Sequence, residues 1–208
     1  EFINFVNDLQ NKGKAGSYIV RFKKTLNSWL TFNNLDQKLQ GIKIRGANLN
    51  PTIQDERPPT KEELDKILRN ASLRGRTIIG IMAFSGVRPE SLGNYKGTDG
   101  IVLKDIEGLE ITDQGINFKI FPAMLKIRAT LSKKGNAYFT FLPEQACKYI
   151  KDYLDLRLRN GEKLNLESPL ILADPRGSHL NETNFVSTAF LLRDVRKAIR
   201  KAGFSFRP

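Results

Sequence analysis

The amino-acid sequence predicts an α+β fold, mainly helical, with a small antiparallel sheet. Two observations carry this. Apolar residues recur at helical spacing through both ends of the chain, and between residues 101 and 142 the period shortens to that of strands separated by glycine-containing turns. The composition sets the class. A chain of 208 residues that is 40% hydrophobic and 27% charged has enough material for a hydrophobic core, which argues against disorder, collagen or a coiled coil.

Phe2, Phe5, Val6 and Leu9 predict a first helix, stopped by Asn11-Lys12-Gly13. A second runs from about Ser17 to Phe32, with Ile19, Phe22, Leu26, Trp29 and Leu30 on one face and Arg21, Lys23, Lys24 and Asn27 on the other. Two helices of this length make only a small core, so they are expected to belong to a larger unit. Residues 41–59, with Gly41, Gly46, Pro51, Pro58 and Pro59, read as a linker. Thr60-Lys61-Glu62-Glu63 is a capping box that starts a helix to about Asn70. Residues 74–85 form a helix apolar almost all round, hence buried, which Gly86 breaks before Pro89 opens another short turn. Strands are predicted at 101–106, 115–120, 124–131 and 137–142, with Ser132-Lys133-Lys134-Gly135-Asn136 as a hairpin turn. A long helix follows from Pro143-Glu144 to about Asn160, then a short apolar run at 168–173, a turn at 174–177, and a helix from Asn181 to about Ala202, broken at most once and ended by Gly203.

The formal net charge is +12, and it is unevenly placed. Residues 12–45 hold Lys12, Lys14, Arg21, Lys23, Lys24, Lys38, Lys43 and Arg45 against Asp36, a net +7; residues 191–208 hold Arg193, Arg196, Lys197, Arg200, Lys201 and Arg207 against Asp194, a net +5. The remainder is neutral. Clustered positive charge is the footprint of a protein that binds a phosphate backbone, because each neutralised phosphate releases counterions. The longest uncharged stretch, Thr77 to Val87, is too short to cross a bilayer, and the helix at 193–201 has too narrow an apolar stripe for a membrane surface. Cys147 is the only cysteine, which excludes a disulfide framework and a cysteine-based zinc site. His179 is the only histidine, so a Ser-His-Asp triad would have to use it. No aromatic-rich strand motif of the RNA-recognition kind is present.

Arg88 is the most unusual residue. It follows a buried helix and Gly86 at the tip of a turn, and a guanidinium on a rigid element grips phosphate with two parallel hydrogen bonds. The alternative is a helix-end arginine paired with Glu90. Lys133 and Lys134 lie on the hairpin turn, where a lysine is either solvated or able to hold a phosphate and protonate a leaving oxygen.

In order along the chain stand Phe84-Ser85-Gly86-Val87-Arg88, Ser132-Lys133-Lys134-Gly135-Asn136, Phe141-Leu142-Pro143-Glu144, Ser168-Pro169-Leu170-Ile171 and Arg200-Lys201-Ala202-Gly203. This succession resembles the tyrosine recombinase, or phage integrase, family. The resemblance covers residues 58–208 as a catalytic domain, with 46–57 as linker and 1–45 as the last helices of a helical core-binding domain. It implies that Arg88 is the first catalytic arginine, on the scissile phosphate. Lys133 is then the hairpin lysine if one counts back from Leu142, and Lys134 if one follows Lys-Gly-Asn. The acid that follows the arginine in many members is displaced by one place here, at Glu90.

The resemblance implies DNA strand transfer through a 3′-phosphotyrosyl intermediate, with no metal and no cofactor, on double-stranded DNA, by a homo-oligomer (a tetramer on DNA) in the cytoplasm of a prokaryotic cell or of the host of its virus or plasmid. Lys12, Lys14, Arg21, Lys23, Lys24, Arg193, Arg196, Lys197, Arg200 and Arg207 are the expected DNA contacts, closing on the duplex from two sides. Arg207-Pro208 stands where a Thr-Pro-like pair precedes the family's His-x-x-Arg box. That box and the nucleophilic tyrosine have no counterpart here, since Tyr18, Tyr95, Tyr138, Tyr149 and Tyr153 all lie upstream. His179 reads as a surface or DNA-contacting residue. The sequence, which begins at Glu1, is therefore expected to be a piece of a longer recombinase that binds duplex DNA without cleaving it. A non-catalytic DNA-binding protein of the same fold and a type IB topoisomerase-like enzyme are the alternatives.

Overall fold

The structure, a computed structural model, describes residues 1–35, 39, 41–48, 57–112, 114–173 and 185–205. Predictions that fall on 174–184, His179 included, on Lys38 and on Arg207 lie outside these residues. The chain forms two compact units, Glu1–Arg57 and Pro58–Pro208.

The first unit is built on α1 (Phe2–Asn11) and α2 (Gly16–Phe32). Its core is small: Val6, Ile19 and Ile44 are buried, with Phe2, Leu9, Val20 and Ala47 packed against them. Ile44 and Ala47 come from the stretch whose composition reads as linker. The chain there lies so close to α2 that a Cβ on Gly16 would stand 2.4 Å from the carbonyl oxygen of Arg45. The apolar face of α2 is only partly covered; Phe22 is 39% and Trp29 55% exposed.

The second unit is α+β and mainly helical, as predicted. It contains α3 (Lys61–Asn70), α4 (Leu73–Ser85), the short α5 (Pro89–Leu92), β1 (Leu109–Thr112), β2 (Gly115–Phe118), β3 (Ala123–Ile127), β4 (Tyr138–Leu142), α6 (Glu144–Arg159) and α7 (Thr188–Lys201). The capping box forms: Thr60 Oγ1 accepts from the Glu63 N–H at 3.3 Å, and the Glu63 carboxylate accepts from the Thr60 N–H at 2.9 Å. Buried Ile78 and Ile81 put α4 at the centre of the core. A Cβ on Gly80 would meet the Tyr149 ring at 2.8 Å, so α4 and α6 pack closely there. Arg157 is 4% exposed; its guanidinium donates to both Glu162 carboxylate oxygens and to the carbonyls of Pro169 and Leu170, which fixes the Pro-Leu-Ile run beneath α6.

Several elements differ from the sequence prediction. Among the described residues the strands form two antiparallel pairs rather than one sheet, β1 with β2 and β3 with β4. Residues 101–106 are not a strand. Their apolar run is fully buried, but the Asp105 carboxylate accepts from the Val102 N–H at 3.0 Å and curls Leu103–Asp105 into a 3-10 turn. The strand of the first pair lies later, at β1. The predicted strand 124–131 ends at Ile127, because the Leu131 and Ser132 N–H groups bond back to the carbonyls of Arg128 and Ala129 and form a 3-10 turn over Ala129–Leu131. Residues 185–187 are not helical: Phe185 pairs as an isolated bridge with Leu172 and Val186 is buried in the core, so the last helix runs from Thr188 here, and its predicted start at Asn181 lies outside the described residues.

Candidate functional site

Arg88 owes its position to three consecutive backbone choices. Gly86 ends α4 in the left-handed conformation (φ 64°), which a side chain would strain, and its N–H bonds to the Met82 carbonyl at 3.2 Å. Val87 then turns into the core, 3% exposed. Arg88 follows in extended geometry as the N-cap of α5, with Pro89 as the first helical residue, and its side chain faces solvent. The far end of α5 is fixed as well. A Cβ on Gly93 would lie 2.0 Å from the Val186 carbonyl oxygen, and Thr188 Oγ1 donates to the Gly93 carbonyl at 2.7 Å, so α7 starts against α5.

Lys133 and Lys134 stand in the long connection between β3 and β4. The strands pair to Ile127↔Tyr138, so the turn is wider than a tight hairpin and includes the 3-10 turn Ala129–Leu131. It closes where Gly135, at φ 72°, donates to the Ser132 carbonyl at 3.0 Å. Both lysines are exposed.

These residues meet. Arg88, Lys133 and Lys134 line one open cleft of about 520 Å³, together with Glu90, Ser91, Leu131, Ser132, Asn136 and Tyr138. Three cations face one carboxylate, which suits an anion. Arg88 makes no ion pair with Glu90, and among the described residues neither Arg88 nor either lysine has an ion-pair partner. Both lysines line the cleft, so the choice between them stays open.

Ser91 and Leu131 line the cleft outside the sequence motifs, and so does Tyr138. Its signal is the two-residue period back from Leu142 through Thr140, which puts Tyr138 at the strand end nearest the lysine turn. Tyr153, by contrast, is 6% exposed; burial pushes its phenol above the usual tyrosine range, and its oxygen accepts from the Leu172 N–H at 3.3 Å. Cys147 is also a core residue. Burial pushes its thiol up to about 11, and the sulfur bonds to the Leu142 carbonyl. Neither lines the cleft.

The basic segments divide by exposure. On α7, Leu191, Val195, Ala198 and Ile199 are buried while Arg193, Arg196, Lys197 and Arg200 are exposed together on the opposite face, with Arg193 stacked on Phe190 at 4.4 Å. In the first unit Lys14, Arg21 and Lys24 are exposed, and Lys12 pairs with Asp8 at 2.7 Å. Lys23 differs: it is half-buried and donates to the Ile42 carbonyl at 3.1 Å. Among the described residues no group of three or more His, Cys, Asp or Glu side chains is placed to hold a metal ion, and no helix is long and apolar enough to cross a membrane.

No protein-family model matches the chain, and no curated protein matches it in sequence. Among solved structures, the chain is similar to the crystal structure of XerA recombinase, a tyrosine recombinase, with a TM-score of 0.50 and 15% identity. The match covers 97% of this chain and 60% of that one, so the chain spans little more than half of its neighbour's length. At this identity the likeness is one of fold: the chain has a distant, recombinase-like α+β architecture.

Proposed function

We propose that these residues form the DNA-binding part, and half of the catalytic apparatus, of a tyrosine recombinase that cleaves and rejoins duplex DNA. One observation carries the reading: Arg88 and the Lys133-Lys134 pair, far apart in sequence, line one cleft with a net positive charge. A likeness of fold to a recombinase supports it. In this reading the Arg88 guanidinium holds two non-bridging phosphate oxygens and stabilises the charge that builds on them in the transition state. A tyrosine outside residues 1–208 attacks phosphorus. As its bond forms, the bond to the 5′ oxygen breaks, and Lys133 or Lys134 gives that oxygen a proton. The phosphotyrosyl ester conserves the bond energy, and attack by the 5′ hydroxyl reverses the step. The exposed basic face of α7 and Lys14, Arg21 and Lys24 each contact the DNA backbone, and copies of the complete protein assemble on DNA.

Covalent capture on nicked suicide duplexes tests this. Residues 1–208 bind duplex DNA and form no adduct, whereas the complete protein forms one. Arg88→Ala in the complete protein lowers adduct formation about a hundredfold or more while binding stays within about tenfold. Binding and cleavage falling together would make Arg88 a general affinity residue. An adduct formed by residues 1–208 and mapped to Tyr138 would contradict a nucleophile beyond them.

A further inference from the structure

We propose that Asp99 is a positioning residue: with Ser91, it holds the 3-10 turn Ala129–Leu131 and so sets where Lys133 and Lys134 stand relative to Arg88. The proposal rests on the reading of the cleft as a phosphate site.

The lysine turn has little of its own to hold it. It is exposed from Lys133 to Tyr138, and between Leu131 and Tyr138 it buries no side chain. What fixes it comes from the segment just after Arg88. Ser91, 2% exposed and on the same turn of helix as Arg88, donates its hydroxyl to the Leu131 carbonyl at 2.9 Å. Asp99 grips the other end. One carboxylate oxygen accepts from Arg128 Nη2 at 3.0 Å and from the Gly100 N–H at 2.8 Å, and the other accepts from Thr130 Oγ1 at 3.1 Å. Arg128 is also bound to the Gly100 carbonyl at 2.5 Å and to buried Asp105 at 3.3 Å. Desolvation works against the Arg128 charge, but its bond to Asp99 and the field of Asp105 hold it above the usual arginine value.

Asp99 is itself kept in place by the loop that carries it. Its carbonyl accepts from the Asn94 N–H at 2.8 Å, and Asn94 Oδ1 accepts from the Thr98 N–H at 2.9 Å. The 3-10 turn is thus bracketed on both sides by groups anchored on α5 and its following loop, the same element that carries Arg88 at its N-cap. None of these bonds uses Arg88, Lys133 or Lys134, so all three stay available to an anion while their spacing is fixed. Charge-assisted bonds between partly buried partners are the strong kind, and a catalytic group needs such support to hold its geometry.

The experiment has two arms on residues 1–208, with Asp99→Asn, Thr130→Val and Thr130→Ser. In the free protein, amide exchange across 129–137 rises about tenfold in Asp99→Asn and Thr130→Val and stays near wild type in Thr130→Ser, which keeps the hydroxyl. Thr130 is exposed, so its variants fold, and melting temperatures stay close to wild type. In the second arm a lysine-acylating reagent is applied with and without duplex DNA, and mass spectrometry reads each lysine. DNA shields Lys133 or Lys134 in wild type; Asp99→Asn loses that shielding while Lys197 on α7 keeps its own. Unchanged exchange in both disruptive variants overturns the anchoring, and unchanged shielding in Asp99→Asn overturns the positioning role alone. Shielding of Lys197 without shielding of either turn lysine in wild type overturns the cleft reading, and the positioning role with it.

Discussion

The two basic segments of the chain present similar charge on very different supports. The α7 helix buries Leu191, Val195, Ala198 and Ile199 in the large core and starts against α5, so its basic face is a rib of the same body that carries Arg88. The α2 helix buries Gly16, Ile19 and Leu30, but among the described residues its unit's core cluster is small, built on Val6, Ile19 and Ile44, and Phe5, Tyr18, Phe22, Trp29 and Phe32 are exposed. Charge on α7 is placed by packing and charge on α2 much less so. A basic total therefore says nothing about how firmly its cations are held.

Core truncation gives the largest contrast. Ile199→Ala on α7 is expected to cost about 3 kcal/mol in chemical denaturation, since the residue is 4% exposed, whereas Trp29→Ala on α2 costs less than about 1 kcal/mol because more than half of the side chain already meets water. Comparable losses at the two sites would show that the α2 face is covered. Charge removal follows with a smaller effect. Arg196→Ala with Lys197→Ala, and separately Arg21→Ala with Lys24→Ala, each lower the slope of log affinity against log salt by about 2 on duplex DNA. Lys23 is left out of the second pair because its bond to the Ile42 carbonyl makes it part of the unit's packing. A slope moved by one pair alone would assign the DNA face to a single unit.

Much of this architecture is legible locally. The Thr60 capping box, the stop at Gly86 and the outward step to Arg88 are dictated by residues within a few positions of each other, and each forms as the sequence predicts. The elements that differ depend on distant partners or on one side chain competing with the backbone. Asp105 turns an apolar run into a 3-10 turn, and the bridge from Phe185 to Leu172 keeps residues 185–187 out of the last helix. The candidate site is half visible. Arg88 and the two lysines stand out by position and motif, but that they share a cleft is set by the β3–β4 register and by bonds from Ser91 and Asp99, which no local pattern announces. The acid two places after Arg88, Glu90, lines the cleft, whereas the residue bonded to the lysine turn is its neighbour Ser91.

The central claim, that Arg88 and the lysine turn together hold a backbone phosphate, is tested most directly by the salt dependence of duplex binding in wild type and in the triple variant Arg88→Ala, Lys133→Ala, Lys134→Ala. Fluorescence anisotropy across a salt series is expected to give a slope for the triple variant shallower by about 1 to 3, roughly one unit for each phosphate that is no longer neutralised. A slope identical to wild type would contradict the claim and leave the cleft as a solvated surface.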